Sequence, residues 1–406
     1  MINNLLYLTH RIPYPPNKGD KIRSFHLLQH LRTRYNIYLG TFIDNEDDWQ
    51  YVNFLQTLCK ECCLLPMNPR ISRLRSLSGL FSGEALTLPY YRNAQLQSWV
   101  NSAVAHRNFD SIVVFSSAMA QYVEHFAHVK RIMDFVDIDS DKWTQYAQSK
   151  RWPLNALYRR EGRLLLNYER KIAGDFDASF FVSPKEAAHF NQLAPLTKSR
   201  IHVYCNGVDA EYFSPDIAYD NPYGQEETVL VFTGAMDYWP NIDAVEWFAR
   251  DIFPQVLAKK PHACFYIVGS NPVKSVIKLS SLQGIHVTGR VADIRPYLAC
   301  AHMAVAPLRI ARGIQNKVLE AMSMEKPVIA TPQAMEGITA DRETGCFIGH
   351  SAEEISRQIL SQLESKFTRN KTGRDVILDQ YDWTRNLAKI DDFLEVKPQR
   401  HQEEAT

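Results

Sequence analysis

Short apolar, β-branched runs alternate with helical stretches along the whole chain, and the series occurs twice. In the first half the runs fall at 3–10, 37–43, 111–116, 130–136 and 178–183, with a short piece at 201–205. In the second half they fall at 228–234, 263–269, 285–289, 303–307, 327–331 and 345–348. Continuous apolar strands separated by helices belong to parallel sheets covered on both faces. Two such series imply an α/β chain of two doubly wound, Rossmann-like domains facing a cleft. The break falls at 209–227, a Pro-, Asp- and Tyr-rich stretch with no clear period. That gives domains at 1–208 and 228–375. A helix is expected over 376–396, with Trp383, Leu387, Ile390 and Leu394 at helical spacing. A polar tail fills 397–406.

Bulk properties exclude several classes. A net charge of +1 over 406 residues, with no basic stripe carrying stacking aromatics, argues against a nucleic-acid module. No window approaches the roughly 20 apolar residues of a membrane span. The opening "MINNLLYLTH" reads as a first strand, not a signal peptide. Cys59, Cys62 and Cys63 lie close in sequence, but no second cluster completes a tetrahedral metal set. Reduced thiols in a cytoplasmic protein are expected, and no metal.

In open parallel sheets, ligands sit beyond the carboxyl ends of strands. Four segments there carry chemistry. After the first run, Gly19, Asp20, Lys21 and Arg23 open a helix. Cations at a helix N-terminus oppose the macrodipole, so they point to an anionic or polar ligand. After 130–136 comes "DIDSD", where Asp137 or Asp139 could hold a sugar hydroxyl or accept a proton. Gly234 ends 228–234 and lets phosphates approach the backbone.

The densest segment is 287–331. Arg290, Arg309 and Arg312 follow strands, and Lys317 and Glu320 share one face of the next helix. Cations converging on a helix N-terminus suit a diphosphate, and a carboxylate one turn in suits a ribose diol. Neither G-x-G-x-x-G nor a Walker lysine loop is present, which argues against a standard NAD enzyme or ATPase.

"YCNGVDAEYFSP" (204–215), "KVLEAMSMEKPVIAT" (317–331) and "YDWTRNLAKI" (381–390) resemble, in this order, the hinge, nucleotide-sugar helix and closing helix of GT-B-fold glycosyltransferases. The likeness is to the family-four-like retaining group and covers nearly all of residues 1–396. A narrower similarity, carried by "PYPPNKGDKIRSFHLLQHL", "DFVDIDSDKW", "YERKIAGDFDASFFVSPKE" and "GIQNKVLEAM", is to sugar transferases of bacterial exosortase (PEP-CTERM) and exopolysaccharide loci.

The resemblance implies a UDP- or GDP-sugar donor held by the C-terminal domain and a glycan or lipid-linked acceptor held by the N-terminal one. It implies retention of configuration, no metal or other cofactor, and a last helix crossing back onto the first domain. Glu320 would hold the ribose. Lys317 and the backbone near Gly313 and Val318 would neutralise the leaving diphosphate, and the backbone near Val291 would read the base. Gly19, Asp20, Lys21 and Arg23 would lie on the acceptor side.

Four departures stand out. Arg312 occupies the place of a family glutamate. The loop "GAMDYWPN" lacks the family's Arg-and-Lys pair. No histidine follows the mid-domain strand. The glycine usual before "PV" is displaced by "EKPV". Arg309, Arg312 and Lys317 are the cations left for the reacting centre. An epimerase of the same fold, or a nucleotide-sugar-binding partner that has lost catalysis, are the competing readings.

Residues 66–92 combine Arg70, Arg73 and Arg75 with Leu74, Leu77, Leu80 and Phe81, and 151–171 carry Arg159, Arg160, Arg163 and Arg170. Basic amphipathic stretches lie on anionic lipid. Peripheral association with the inner face of the cytoplasmic membrane is the expectation.

Overall fold

The computed structural model describes residues 3–311, 313–365 and 369–394. They divide into one unit that runs to Tyr204 and resumes at Leu387, and a second of Cys205–Asn386.

The first unit is a seven-stranded parallel sheet. Its strands are β1 (Asn3–Thr9), β2 (Tyr35–Ile43), β3 (Glu61–Pro66), β4 (Ser111–Phe115), β5 (Lys130–Val136), β6 (Ala178–Phe181) and β7 (Ile201–Val203). Their order is β3-β2-β1-β4-β5-β6-β7, so the winding reverses between β1 and β4. All the residues of β4, and all but the ends of β5, are buried, as a sheet covered on both faces requires. The helices that matter below are α1 (Gly19–Leu31), α2 (Pro69–Ser76), α3 (Thr87–Tyr91), α4 (Asp139–Ser149) and α5 (Leu154–Asp175).

Two buried glutamates on α5 serve neighbouring helices. Glu161 accepts hydrogen bonds from the Leu86 and Thr87 amides at 2.6 and 2.9 Å, satisfying donors at the start of α3. Glu169 accepts from the Ser140 amide at 3.1 Å, at the start of α4. Burial pushes the Glu169 carboxyl up to about 8, outweighing those bonds.

The second unit is a six-stranded parallel sheet in the order β10-β9-β8-β11-β12-β13. Its strands are β8 (Thr228–Thr233), β9 (Ala263–Val268), β10 (Ile285–Gly289), β11 (Met303–Ala306), β12 (Val328–Ala330) and β13 (Cys346–Ile348). Its helices include α6 (Trp239–Trp247), α7 (Asn316–Ser323), α8 (Lys371–Gln380) and the start of α9 (Trp383–Leu394). Val208, Ala210 and Tyr223, from around the Pro-rich stretch, are buried in its core.

Two elements differ from expectation. β3 was not among the predicted strands. It carries Glu61, Cys62 and Cys63 at the sheet edge, where half-burial tolerates a polar, thiol-rich sequence. The helix expected over 376–396 is two helices, α8 and α9. Asp382 separates them because its side chain accepts from the Arg385 amide at 2.9 Å and caps a new helix. Beyond that cap Leu387, Ile390 and Leu394 are buried, and Asp391 pairs with His30 of α1 at 2.9 Å.

Candidate active site

In the second unit, β8 and β9 end on glycines that nearly touch. A Cβ on Gly269 would lie 1.6 Å from the Gly234 carbonyl oxygen, so no side chain fits there. Gly234 itself has φ +155°, and a Cβ on it would lie 2.7 Å from Asn241 Nδ2 and 3.4 Å from Lys317 Nζ. The end of β8, the first turn of α6 and the first turn of α7 therefore converge on one point.

Lys317 is the centre of that point. Its ammonium donates to Asn241 Oδ1 at 2.6 Å and sits 4.3 Å from the centroid of the Phe232 ring. The Asn241 amide is oriented by donating to the Ala235 carbonyl at 2.9 Å. Burial pushes the Lys317 ammonium down to about 7, against the opposing field of Glu320. Burial likewise pushes the Glu320 carboxyl up to about 7, against the field of Lys317.

Lys317 and Glu320 share a helix face, but they form no ion pair among the described residues. Lys317 turns to Asn241 instead, and Glu320 accepts no hydrogen bond there. Asn316 Oδ1, at the start of α7, is also buried without a partner. A partly desolvated cation, an unpartnered carboxylate one turn further in and an unpartnered amide oxygen make a polar site not satisfied from within. Its chemistry suits an anion beside a diol.

The other donor-side candidates are placed as follows. Gly313 adopts φ +63° just ahead of α7. Val318 is fully buried and packs in the core, where only its backbone could serve a ligand. Val291 is half-buried against the same core, and Arg290 is exposed. Arg312 lies outside the described residues. Arg309 needs correction as a free cation of the reacting centre. Its guanidinium forks onto the Asp243 carboxylate, with one contact at 3.0 Å, and lies 5.3 Å from the Trp247 ring.

The displaced glycine also has a structural account. Glu325 adopts φ +57°, the left-handed conformation that terminates α7. The Lys326 amide bonds back to the Ala321 carbonyl at 2.9 Å, as in a Schellman ending. Glu325 thus occupies a glycine's conformation.

In the first unit the expected acceptor-side cations are corrected. Lys21 pairs with Asp48 at 2.6 Å, and both side chains are almost fully buried. Arg23 is wholly buried and forks onto Asp134 at 2.9 and 3.0 Å, with its guanidinium 3.6 Å from the Tyr204 ring centroid. Both are buried in α1 along with Phe25 and Leu28, so they balance buried carboxylates and do not await an anion. Asp20 is held by Arg11 at 2.6 Å and by His10 at 3.4 Å, while Gly19 is exposed.

Asp137 and Asp139 share one cation, Lys142 Nζ, at 3.1 Å each. Burial disfavours that ammonium, yet the two carboxylates hold its pKa above the ordinary lysine value. The strand ends here are strained. Val136 has φ +67° and Ser116 has φ +76°, at the ends of adjacent strands β5 and β4. A β-branched residue rarely adopts that region, and such strain clusters at functional sites.

Two residues escaped the sequence reading. Asn241 looks like a helix cap, but α6 starts at Trp239 and places it where it grips Lys317. His10, directly after β1, is stacked on Phe115 with centroids 5.9 Å apart, and its Nδ1 is buried without a partner. Its position beyond a strand end was the one available signal.

Residues 227–365 match the family described as glycosyl transferases, group 1. Comparison with curated protein sequences gives no significant match. Among solved structures, the chain is similar to WaaG, a glycosyltransferase involved in lipopolysaccharide biosynthesis. The TM-score is 0.67 at 14% identity, over 97% of this chain and 100% of that one. It is similar to Anabaena HepE in complex with UDP and glucose, with TM-score 0.66 and 15% identity over 97% and 99% of the two chains. Sucrose-phosphate synthase from Thermosynechococcus elongatus gives 0.64 and 15% over 96% and 98%. The fold is GT-B, and the group 1 glycosyl transferase match lies within the second unit.

Proposed function

We propose that this chain, with its GT-B fold and group 1 domain, moves a sugar from a nucleoside-diphosphate sugar to a glycan or lipid-linked acceptor. The donor is a UDP- or GDP-sugar, and configuration at the anomeric carbon is retained. The observation that carries the reading is the Lys317–Asn241–Gly234 junction with the unpartnered Glu320 one turn along α7. The second unit then serves as the donor domain and the first as the acceptor domain.

Lys317 supplies the positive charge for the diphosphate as the glycosidic bond breaks. It does so from a partly desolvated position, where each interaction with developing charge is stronger than in water. Asn241 fixes its direction. Glu320 accepts from the ribose hydroxyls, and the backbone at Gly313 and Val318 completes the cradle. The backbone at Val291 meets the base, with Arg290 next to it in the chain. No metal enters this transfer. On the acceptor side the strained ends of β4 and β5 present Asp137 and Asp139, whose charge Lys142 moderates. These carboxylates hold acceptor hydroxyls. The solved relative HepE, bound to UDP and glucose, supports a uridine donor as the first to test.

A role in exopolysaccharide or other cell-surface polysaccharide synthesis agrees with the exposed face around α2. Ile71, Leu74, Leu77, Leu80 and Phe81 are 63, 71, 45, 42 and 93% exposed, beside the exposed Arg70 and Arg73. No described helix is long and apolar enough to cross a membrane. An apolar patch rimmed by arginines fits the surface of an anionic bilayer, where a lipid-linked acceptor would be met.

The experiment is a thermal-shift screen of UDP, GDP and their common sugars. One nucleotide class should stabilise the wild type and not Lys317→Ala, because ligand binding adds RT ln(1 + [L]/Kd). Equal stabilisation of both proteins sinks the reading. Incubation of the donor alone then separates transfer from epimerisation.

A further inference from the structure

The second sheet carries a polar cluster at the opposite ends of the strands that lead to Lys317. Glu227 immediately precedes β8, Cys264 is the second residue of β9, and His286 is the second residue of β10. The registry brings them together: Val229 lies beside Cys264, and His286 beside Tyr266. One ligand atom from each of Glu227, Cys264 and His286 lies within 4.8 Å of the others. Among the described residues this is the sole such group of three.

We propose that Glu227, Cys264 and His286 bind one divalent, zinc-like metal ion, with water completing a tetrahedral shell. Carboxylate oxygen, thiolate sulfur and imidazole nitrogen form a mixed set that zinc accepts. The thiolate disfavours magnesium and calcium, which take oxygen ligands.

Outer contacts already orient the ligands. Tyr266 donates to Glu227 Oε2 at 2.9 Å, and the Gly224 amide donates to the same oxygen at 3.0 Å. Tyr266 also stacks on the His286 ring, with centroids 4.5 Å apart and planes 19° from parallel. Outer partners of this kind fix ligand direction in metal sites.

Burial, together with the Glu227 carboxylate, pushes the Cys264 thiol up to about 11. An entering cation offsets both causes. The balance is simple: the thiol proton leaves to solvent as the metal–sulfur bond forms, with no change of oxidation state.

The role is structural. β10 is an edge strand of the six-stranded order, and one ion would clip it to β9 and to the segment entering β8. The ion would sit at the strand starts, whereas Gly234 and Gly269 mark the strand ends, so it takes no part in sugar transfer.

The test is a cobalt titration of the metal-stripped full chain, with zinc as competitor. The expected result is a thiolate-to-cobalt charge-transfer band that saturates at one equivalent, and a zinc-dependent rise in Tm. Both should vanish in Cys264→Ser. His286→Ala, at an exposed position, should weaken cobalt binding by about tenfold or more and leave UDP-sugar binding unchanged. A Cys59→Ser/Cys62→Ser/Cys63→Ser variant should keep the band. No band in the wild type, or a band that survives Cys264→Ser, overturns the proposal.

Discussion

If Lys317 supplies the charge for the diphosphate, donor affinity must fall as its ammonium deprotonates. In the free protein that occurs at about 7, far below the ordinary lysine value of 10.5. The sign follows from charge. Binding a diphosphate raises the pKa, so affinity is greatest below about pH 7 and declines as pH rises toward the pKa of the complex. From about pH 6 to about pH 8 the protonated fraction drops from about nine-tenths to about one-tenth, so Kd should rise about tenfold, or about 1.4 kcal/mol. Binding at about pH 8 should take up about 0.9 proton, read by calorimetry in buffers of different ionisation enthalpy.

Glu320 complicates the profile because it ionises over the same range and pulls the other way. Its charged form is the better acceptor for a diol. Glu320→Gln should therefore weaken binding overall and steepen the fall with pH. Lys317→Met should abolish the proton uptake. The ligand must be an intact UDP- or GDP-sugar, since a free terminal phosphate titrates near pH 6 itself. In Glu320→Gln, where Lys317 titrates alone, affinity constant within twofold from about pH 6 to about pH 9, with no proton uptake, would refute the assignment of Lys317.

Three further outcomes follow from the geometry. Gly269→Ala places a Cβ into the Gly234 carbonyl at 1.6 Å, and should cost about 3 kcal/mol or more in urea unfolding. Glu325→Gly relieves a left-handed, non-glycine residue at φ +57° whose Oε2 is buried without a partner; it should stabilise by about 1–2 kcal/mol in the same assay. Asp134→Ala strands the buried Arg23 and should cost about 3–5 kcal/mol. A loss confined to acceptor affinity, with stability intact, would return Arg23 to the ligand site.

The fold was legible because sheets buried on both faces write themselves as apolar runs, and each predicted run has its strand. β3 escaped because an edge strand needs only one good face, and "ECCLLP" drew notice for its thiols. The site was legible in part. Lys317 and Glu320 stand out because charge is out of place on an otherwise apolar helix. Their partner Asn241 does not, since it lies 76 residues away in sequence and an asparagine near a helix start has an ordinary use. Lys21 and Arg23 misled for a related reason. Cations at a helix start look exposed until Asp48 and Asp134, distant in the chain, are found beneath them.

Glu161 and Glu169 lie on the same helix and cap two others. If α5 detaches, α3 and α4 lose their N-terminal acceptors together, since neither supplies a side-chain cap of its own. The amides of Leu86, Thr87 and Ser140 should then exchange with deuterium at one common opening rate, although they are far apart in sequence. The starts of α3 and α4 would open together with α5, and a single helix would set how often they do so.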